Sequence, residues 1–336
     1  MNSLFRLGII GTGQITMQSH LPAALASTKI IVTALVDPQV ERAQKLADSY
    51  GIKPTVTGHL EEVWGQVDGV VIATPNHTHR DIAIACVKAG VHCLIEKPLA
   101  STVAEGEDIV HVAKEHNILV TVGYTTRFKD EVVLFHDLFK SGYFGIARCF
   151  VYQFGTVGGW APLSAYNLDR KRSGGGVLVV TGSHFIDRML YWFGYPDQYA
   201  FEDDSLGGPE ANCVARVTYS SGGYNFEGTI RLSKTVAMQP GFVMETDQGR
   251  LVFSEKVPLF LGFRPFSQPS LQTILRSRQG PVFSQQKSPF QLQLENFVEA
   301  CQGREQPMVS AEQGLESVRL INALYSCRTA MKEVYS

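Results

Sequence analysis

The sequence predicts an α/β domain with a doubly wound parallel sheet, followed by an α+β domain on an open, mainly antiparallel sheet. Two patterns carry this. The first third alternates apolar runs of strand length with amphipathic segments of helix length, the order that builds parallel sheets. Beyond residue 123 a strict apolar–polar alternation takes over, as in strands with one dry and one wet face. The length agrees: 336 residues at ~150 per domain allow two cores, and 44% hydrophobic residues supply them. The expected division is 1–123 and 124–336.

Taken in order, Arg6–Ile10, Ile31–Val36, Gly69–Ala73, His92–Ile95 and Leu119–Val122 are continuous apolar or β-branched runs, as strands buried on both faces require. Between them, Val40–Tyr50 puts Val40, Ala43 and Leu46 or Ala47 on one helical face, and Asp81–Lys88 closes at Gly90, a C-terminal cap. A further helix over about 102–116 spaces Val103, Ile109 or Val110, and Ala113. In the second domain, Cys213–Tyr219 and Tyr224–Leu232 flank Ser221-Gly222-Gly223, and Phe242–Thr246 and Arg250–Ser254 flank Asp247-Gln248-Gly249. Both read as hairpins. Residues 262–289, rich in Ser and Gln with Pro265, Pro269, Gly280 and Pro281, read as a long loop. Two helices close the chain. Ser288 caps the first, with Pro289 at its first position and Phe290, Leu294, Phe297 and Cys301 on one face. Ser310 to Gln313 forms a capping box that turns Leu315, Val318, Ile321 and Tyr325 inward.

Composition excludes several function classes. Lys and Arg number 30 against 32 Asp and Glu, and no basic cluster stands out, so nothing matches a nucleic-acid backbone. The apolar stretches fall well short of the ~20 residues that span a bilayer, which excludes membrane insertion. Leu7–Ile10 flows into glycines rather than a cleavage site and reads as a strand, not a signal peptide. The six cysteines lie far apart with no Cys-x-x-Cys pair, the pattern of reduced, buried thiols in a cytoplasmic protein.

Gly11-Thr12-Gly13-Gln14-Ile15-Thr16 follows the first strand and opens a helix. The first glycine permits a tight turn and the second lets a pyrophosphate approach the backbone. The helix N-terminus at Gln14 and Ile15 supplies amide donors and a positive dipole end. Thr16 holds the third glycine position, where a side chain is expected to push helix and strand slightly apart. Asp37 ends the second strand 24 residues after Gly13, near the ~20 expected of a ribose-binding carboxylate. Such an acid accepts from a 2′-hydroxyl and repels a 2′-phosphate, which favours NAD over NADP, and Arg42 is the residue able to reverse that choice. Asp37 also reads as a helix N-cap before Pro38. Thr74-Pro75-Asn76 with His77 and His79 ends a strand at its carboxyl end, where open α/β sheets place ligands, and Glu96-Lys97-Pro98 ends the next. Two histidines without a third ligand nearby do not make a metal site, and no metal is expected.

These motifs together resemble the glucose-fructose oxidoreductase, inositol dehydrogenase and rhizopine-catabolism (Gfo/Idh/MocA) family. The similarity continues through Gly123-Tyr124-Thr125-Thr126-Arg127-Phe128, a domain-crossing segment, through Gly174-Gly175-Gly176 to His184 and Asp187, and from Phe290 onward. It implies a Rossmann N-terminal domain toward which the closing helices pack, and a homo-dimer or homo-tetramer formed through the exposed face of the antiparallel sheet. It implies an NAD(P)-dependent dehydrogenase acting on a secondary alcohol of a sugar, polyol or related cyclic compound. Cofactor contacts would come from Gly11, Gly13, Gln14, Ile15, Asp37, Thr74, Pro75, Asn76, His79, Glu96 and Lys97. Lys97 corresponds to the lysine beside the reacting hydroxyl and His184 to the acid/base. An imidazole titrating near neutrality takes the hydroxyl proton as hydride leaves, while the ammonium stabilises developing alkoxide. A cis bond before Pro98 would fix the lysine's direction.

Two departures stand out. Val180 occupies the position of a family aspartate four residues before His184, and Thr125 replaces an asparagine. Losing that carboxylate makes the pocket more apolar and disfavours the charged forms of Lys97 and His184. It opens a second reading, a dinucleotide-binding protein with little dehydrogenase activity that serves as a sensor or assembly component. Tyr124, Arg127, Tyr166, Asn167 and Asp169 are the candidates to hold substrate in its place, and Trp160 and Phe154 to stack on a sugar ring.

Overall fold

The computed structural model describes residues 4–158, 169–205, 208–221, 223–254, 260–276 and 287–332. The chain forms two compact units, Met1–Phe128 with Gln285–Val318 and Lys129–Ser284 with Arg319–Ser336.

In the first unit six strands are all parallel: β1 (Phe5–Ile10), β2 (Ile30–Val36), β3 (Thr55–Thr57), β4 (Gly69–Ile72), β5 (His92–Ile95) and β6 (Val120–Val122). Their order is β3-β2-β1-β4-β5-β6, a doubly wound sheet whose chain reverses direction across the sheet between β1 and β4. Only β3 went unread in the sequence, because three residues give no usable periodicity. The strands β1, β4 and β5 are covered on both faces. Leu7, Ile9, Val71 and Leu94 enter one core, while Ile10, Val70, Ile72 and Ile95 enter another, since successive strand side chains point to opposite faces. The helices α1 (Leu21–Ala26), α2 (Val40–Ser49), α3 (His79–Lys88) and α4 (Val103–Glu115) connect the strands. A left-handed residue, Gly90 at φ 77°, follows α3 as expected. A capping box of Thr102 and Glu105, which the sequence reading passed over, opens α4.

The helix Pro289–Cys301 also belongs to this unit. Ser288 accepts from the Gln291 amide, and Phe297 meets Phe5 edge to face at 5.9 Å. Its polar side is tied by Lys29 Nζ to Glu299 at 2.6 Å and by Ser27 Oγ to Glu295 at 3.1 Å. The capping box of Ser310 and Gln313 forms and starts the helix Ala311–Ser326. Leu315 and Val318 of that helix join the first unit's core, and Ile321 and Leu324 that of the second.

The second unit is built on a nine-stranded sheet. Its strands are β7 (Ala147–Gly155), β8 (Gln198–Asp203), β9 (Asn212–Ser221), β10 (Tyr224–Ser233), β11 (Met238–Thr246), β12 (Gly249–Ser254), β13 (Phe260–Pro265), β14 (Thr273–Leu275) and β15 (Arg328–Ala330). The order is β14-β13-β12-β11-β7-β10-β9-β8-β15, antiparallel except at β7–β10 and β8–β15. Both expected hairpins form, with Tyr224 opposite Ser221 and Glu245 opposite Arg250. The expected loop over 262–289 is corrected. Two strands lie within its first part, because Leu261 and Leu275 pair and pack into the core, and Pro265 falls at the strand end, where a missing N–H does no harm. Helices α5 (Asp130–Lys140), α6 (Arg170–Ser173) and α7 (Ser183–Phe193) complete the unit. Phe135 of α5 lies 4.5 Å from Trp192 of α7 and 5.3 Å from Phe242 of the sheet, and Trp192 Nε1 donates to Val132 O at 3.0 Å. The outward residues of β7, such as Val151, stay exposed.

Candidate active site

The glycine turn after β1 has the geometry a dinucleotide needs. Gly11 sits at φ 90°, and a Cβ there would lie 2.5 Å from the Ala73 carbonyl, so both backbone and space demand glycine. Around Gly13 a Cβ would meet nothing within 4 Å, which leaves its amide open to close approach. Gln14 and Ile15 are exposed beside it. Thr16 is wholly buried, and its Oγ1 donates to Gly11 O at 2.6 Å, so the side chain becomes part of the turn. The helix opens there as a π-turn, Thr16–His20, a widened geometry frequent at functional sites.

Asp37 ends β2 and is 1% exposed. Its Oδ2 accepts from Thr12 N at 2.7 Å, Thr12 Oγ1 at 2.8 Å and Arg42 Nη2 at 2.6 Å, while Oδ1 accepts from Gln39 N at 2.8 Å. Burial pushes its pKa up, but Arg42, Thr12 and Gln39 outweigh this and hold it below the usual carboxylate value. The carboxylate therefore braces the glycine turn and ties it to Gln39; expected to meet a ribose and to cap α2, Asp37 is instead buried beneath the turn, and α2 starts after Gln39 without a side-chain cap. The Arg42 side chain is 48% exposed, so this edge of the site presents a guanidinium with its counter-ion beneath it.

At the end of β4, Thr74 and Asn76 are half-buried and Pro75 is exposed, and Thr78 Oγ1 folds the loop by donating to Pro75 O at 2.7 Å. His77 is exposed, whereas His79 is fully buried behind the loop. Its Nδ1 lies 3.0 Å from Pro98 O and its Nε2 2.9 Å from Thr74 O. Burial pushes its pKa down, opposed by these carbonyls and by Glu96. Expected to contact the cofactor, His79 instead links the loop after β4 to the loop after β5, with no exposed ring edge for a ligand.

Glu96 plays a similar hidden part. Its Oε1 accepts from His20 Nε2 at 2.7 Å and its Oε2 from Lys97 N at 3.1 Å. Burial pushes its pKa up, but His20 and Lys97 bring it below the usual value. Gly123 packs directly on it, since a Cβ there would come within 3.3 Å of the Glu96 carboxylate. The Lys97–Pro98 bond is cis, and Lys97 is half-buried. Sequence reasoning missed His20, a wholly buried residue set edge-on to Phe290 at 5.1 Å. Its partner lies 76 positions away, and the polar run Gln18-Ser19-His20 gave no local pattern that singled it out.

The crossing segment requires a correction. Arg127, expected to meet substrate, is 2% exposed and donates to Gln313 Oε1 at 3.1 Å and Met308 O at 3.4 Å, so it serves the fold of the first unit. Tyr124 is fully buried in the same unit's core. In the second unit, Val180 lies in a π-turn, Leu178–Gly182, and His184 in the first turn of α7, both half-buried. Phe154 packs against Phe185 at 5.8 Å rather than standing free to stack, and Asp169 is exposed. Trp160, Tyr166 and Asn167 lie outside the described residues. Among the described residues no cluster of three or more His, Cys, Asp or Glu is placed to hold a metal, and no helix is long and apolar enough to cross a membrane.

Residues 5–124 match the sequence model of an oxidoreductase family with an NAD-binding Rossmann fold. The chain is 32% identical over 194 residues to the rhizopine catabolism protein MocA of Rhizobium meliloti, and the match spans 56% of this chain and 57% of that protein. It is 26% identical to the 1,5-anhydro-D-fructose reductase of Ensifer adhaerens across 93% of both. The crystal structure of aldose-aldose oxidoreductase from Caulobacter crescentus, complexed with glycerol, shares the fold with a TM-score of 0.84 at 22% identity over 97% of each chain. The glycine turn, the Thr-Pro-Asn loop and Glu-Lys-Pro all lie within residues 5–124, so it is this dinucleotide-binding part of the chain that matches the Gfo/Idh/MocA oxidoreductase model.

Proposed function

We propose that the protein is an NAD(P)-dependent dehydrogenase that moves hydride between a nicotinamide and a secondary alcohol or ketone of a sugar, polyol or related cyclic substrate. The observation that carries this is the glycine turn, with a left-handed Gly11, an open Gly13 amide and Asp37 bracing it from below. The names of relatives point to the same substrates, among them a 1,5-anhydro-D-fructose reductase and a D-glucoside 3-dehydrogenase. The bound dinucleotide supplies the hydride acceptor. The Lys97 ammonium, on a loop fixed by Glu96, stabilises the developing alkoxide, and His184 takes the hydroxyl proton. With Val180 beside it, His184 works without the family's carboxylate, which suits a less hydroxylated substrate. NAD is the dinucleotide of this reading, and the exposed Arg42 guanidinium lets NADP bind as well.

Residues 1–123 form the dinucleotide-binding domain in this reading and 124–336 the substrate and assembly domain, with the closing helices serving the first. The enzyme works in the cytoplasm as a homo-dimer or homo-tetramer through the exposed face of the nine-stranded sheet.

The test is dinucleotide titration followed by an NADH-fluorescence panel of sugars and polyols. Turnover is expected, and His184→Ala should lower kcat by about 10²- to 10⁴-fold while leaving dinucleotide affinity intact. Failure to bind either dinucleotide would sink the proposal. Tight binding with no turnover of any hydroxylated compound would make the protein the sensor that Val180 suggests.

A further inference from the structure

The segment that carries Val180 and His184 begins with no side-chain cap of its own. The first amides of a helix have no intrahelical partner, and leaving them bare in a buried place is costly. Glu210, in the connection between β8 and β9, takes three of them in succession. Its Oε2 accepts from Gly176 N at 2.9 Å, its backbone carbonyl from Val177 N at 2.9 Å, and its Oε1 from Leu178 N at 2.9 Å. The Tyr325 hydroxyl donates to Oε1 at 2.8 Å, and the Arg170 guanidinium lies over the Tyr325 ring. Glu210 itself is wholly buried.

The glycine run before the helix is the steric counterpart of this anchor. A Cβ on Gly176 would overlap the Glu210 backbone, and one on Gly175 would overlap the Tyr325 hydroxyl. Gly174, at φ 80°, turns the chain out of α6. Gly176 O then accepts from Val180 N at 3.0 Å, so the anchored residue is also the first acceptor of the ladder that leads, one turn later, to His184.

We infer that Glu210 is a positioning residue for His184: by holding the first three amides of the helical segment, with Tyr325 holding it in turn, it sets where the imidazole is presented. The inference rests on the reading of His184 as the acid/base.

Glu210→Gln in the full-length protein is the direct test, because the amide keeps one acceptor oxygen and sets an NH₂ against an N–H donor. Expected are a fall in kcat of about tenfold, an unchanged KM for the dinucleotide, and faster amide exchange confined to 176–184 while β9 and β10 stay protected. Tyr325→Phe removes a single donor and should give the same pattern at smaller amplitude. It also serves as the deciding variant if Glu210→Gln does not fold. Wild-type kcat together with wild-type exchange in 176–184, in whichever variant folds, would overturn the inference. Should the wild type show no turnover at all, the dehydrogenase reading fails on its own, and unchanged amide exchange still sinks the Glu210 anchor.

Discussion

Beneath Lys97 in the first unit lies the largely buried carboxylate of Glu96; at the start of the His184 helix in the second lies that of Glu210. Both accept from main-chain amides. Their surroundings differ. Glu96 has His20 and Lys97 for neighbours, and these outweigh burial to lower its pKa. Burial acts most strongly on Glu210 and raises its pKa, against the neutral donors that face it among the described residues, the Leu178 and Gly176 amides and Tyr325. A buried carboxylate is therefore held as an ion where cations face it, and pressed toward the neutral acid where they do not. The first unit fixes its buried carboxylate with charge, the second with main-chain and hydroxyl donors.

Gly11→Ala attacks the first unit where charge gives no help. The left-handed backbone and the contact with the Ala73 carbonyl both oppose a methyl group, a strain of about 1–3 kcal/mol. Dinucleotide affinity should fall by about 100-fold or more, with amide exchange in β10 of the second unit unchanged. Affinity close to wild type would show that the turn relaxes and that its geometry does not select glycine.

The second unit is probed by adding the charge it lacks. Val180→Asp restores a carboxylate one turn before His184, and activity on polyols should rise by about tenfold through support of the imidazolium. No change in a folded variant would show that this pocket does not use the family geometry. Arg42→Ala runs the opposite experiment in the first unit. Asp37 loses its cation, the site loses its guanidinium, and the ratio of NADP to NAD affinity should drop by about tenfold. A ratio that stays put would place dinucleotide choice elsewhere.

The same contrast explains what the sequence disclosed. Gly11 and Gly13 were legible as a tight turn at a strand end, because a short local spacing reports that geometry directly. His79, Glu96 and Arg127 were also found, yet their roles were misread as ligand contacts. Residue type at the sheet edge does not reveal that a side chain turns inward to bind carbonyls or a distant glutamine. His20 and Glu210 escaped altogether, since their partners lie 76, 34 and 115 positions away. In the fold the error had a related cause. Prolines and glutamines over 262–276 marked strand ends and an exposed edge, and the alternation of Leu261 and Phe263 against Leu275 was too brief to outweigh them.

Acid provides the finest test, on the first of two carboxylates whose shifts carry opposite signs. Glu96 titrates below its ordinary value of 4.5 in the folded chain. Its stabilising contribution is therefore complete above that pH and is lost as the pH falls through the lower folded value. Glu210 is shifted the other way, above 4.5. Amide exchange, corrected for the intrinsic rate at each pH, should show the loop around Lys97 loosening on acidification, and Glu96→Gln should flatten that trend. A loop that keeps its protection in acid would show that the charge on Glu96 does not hold it.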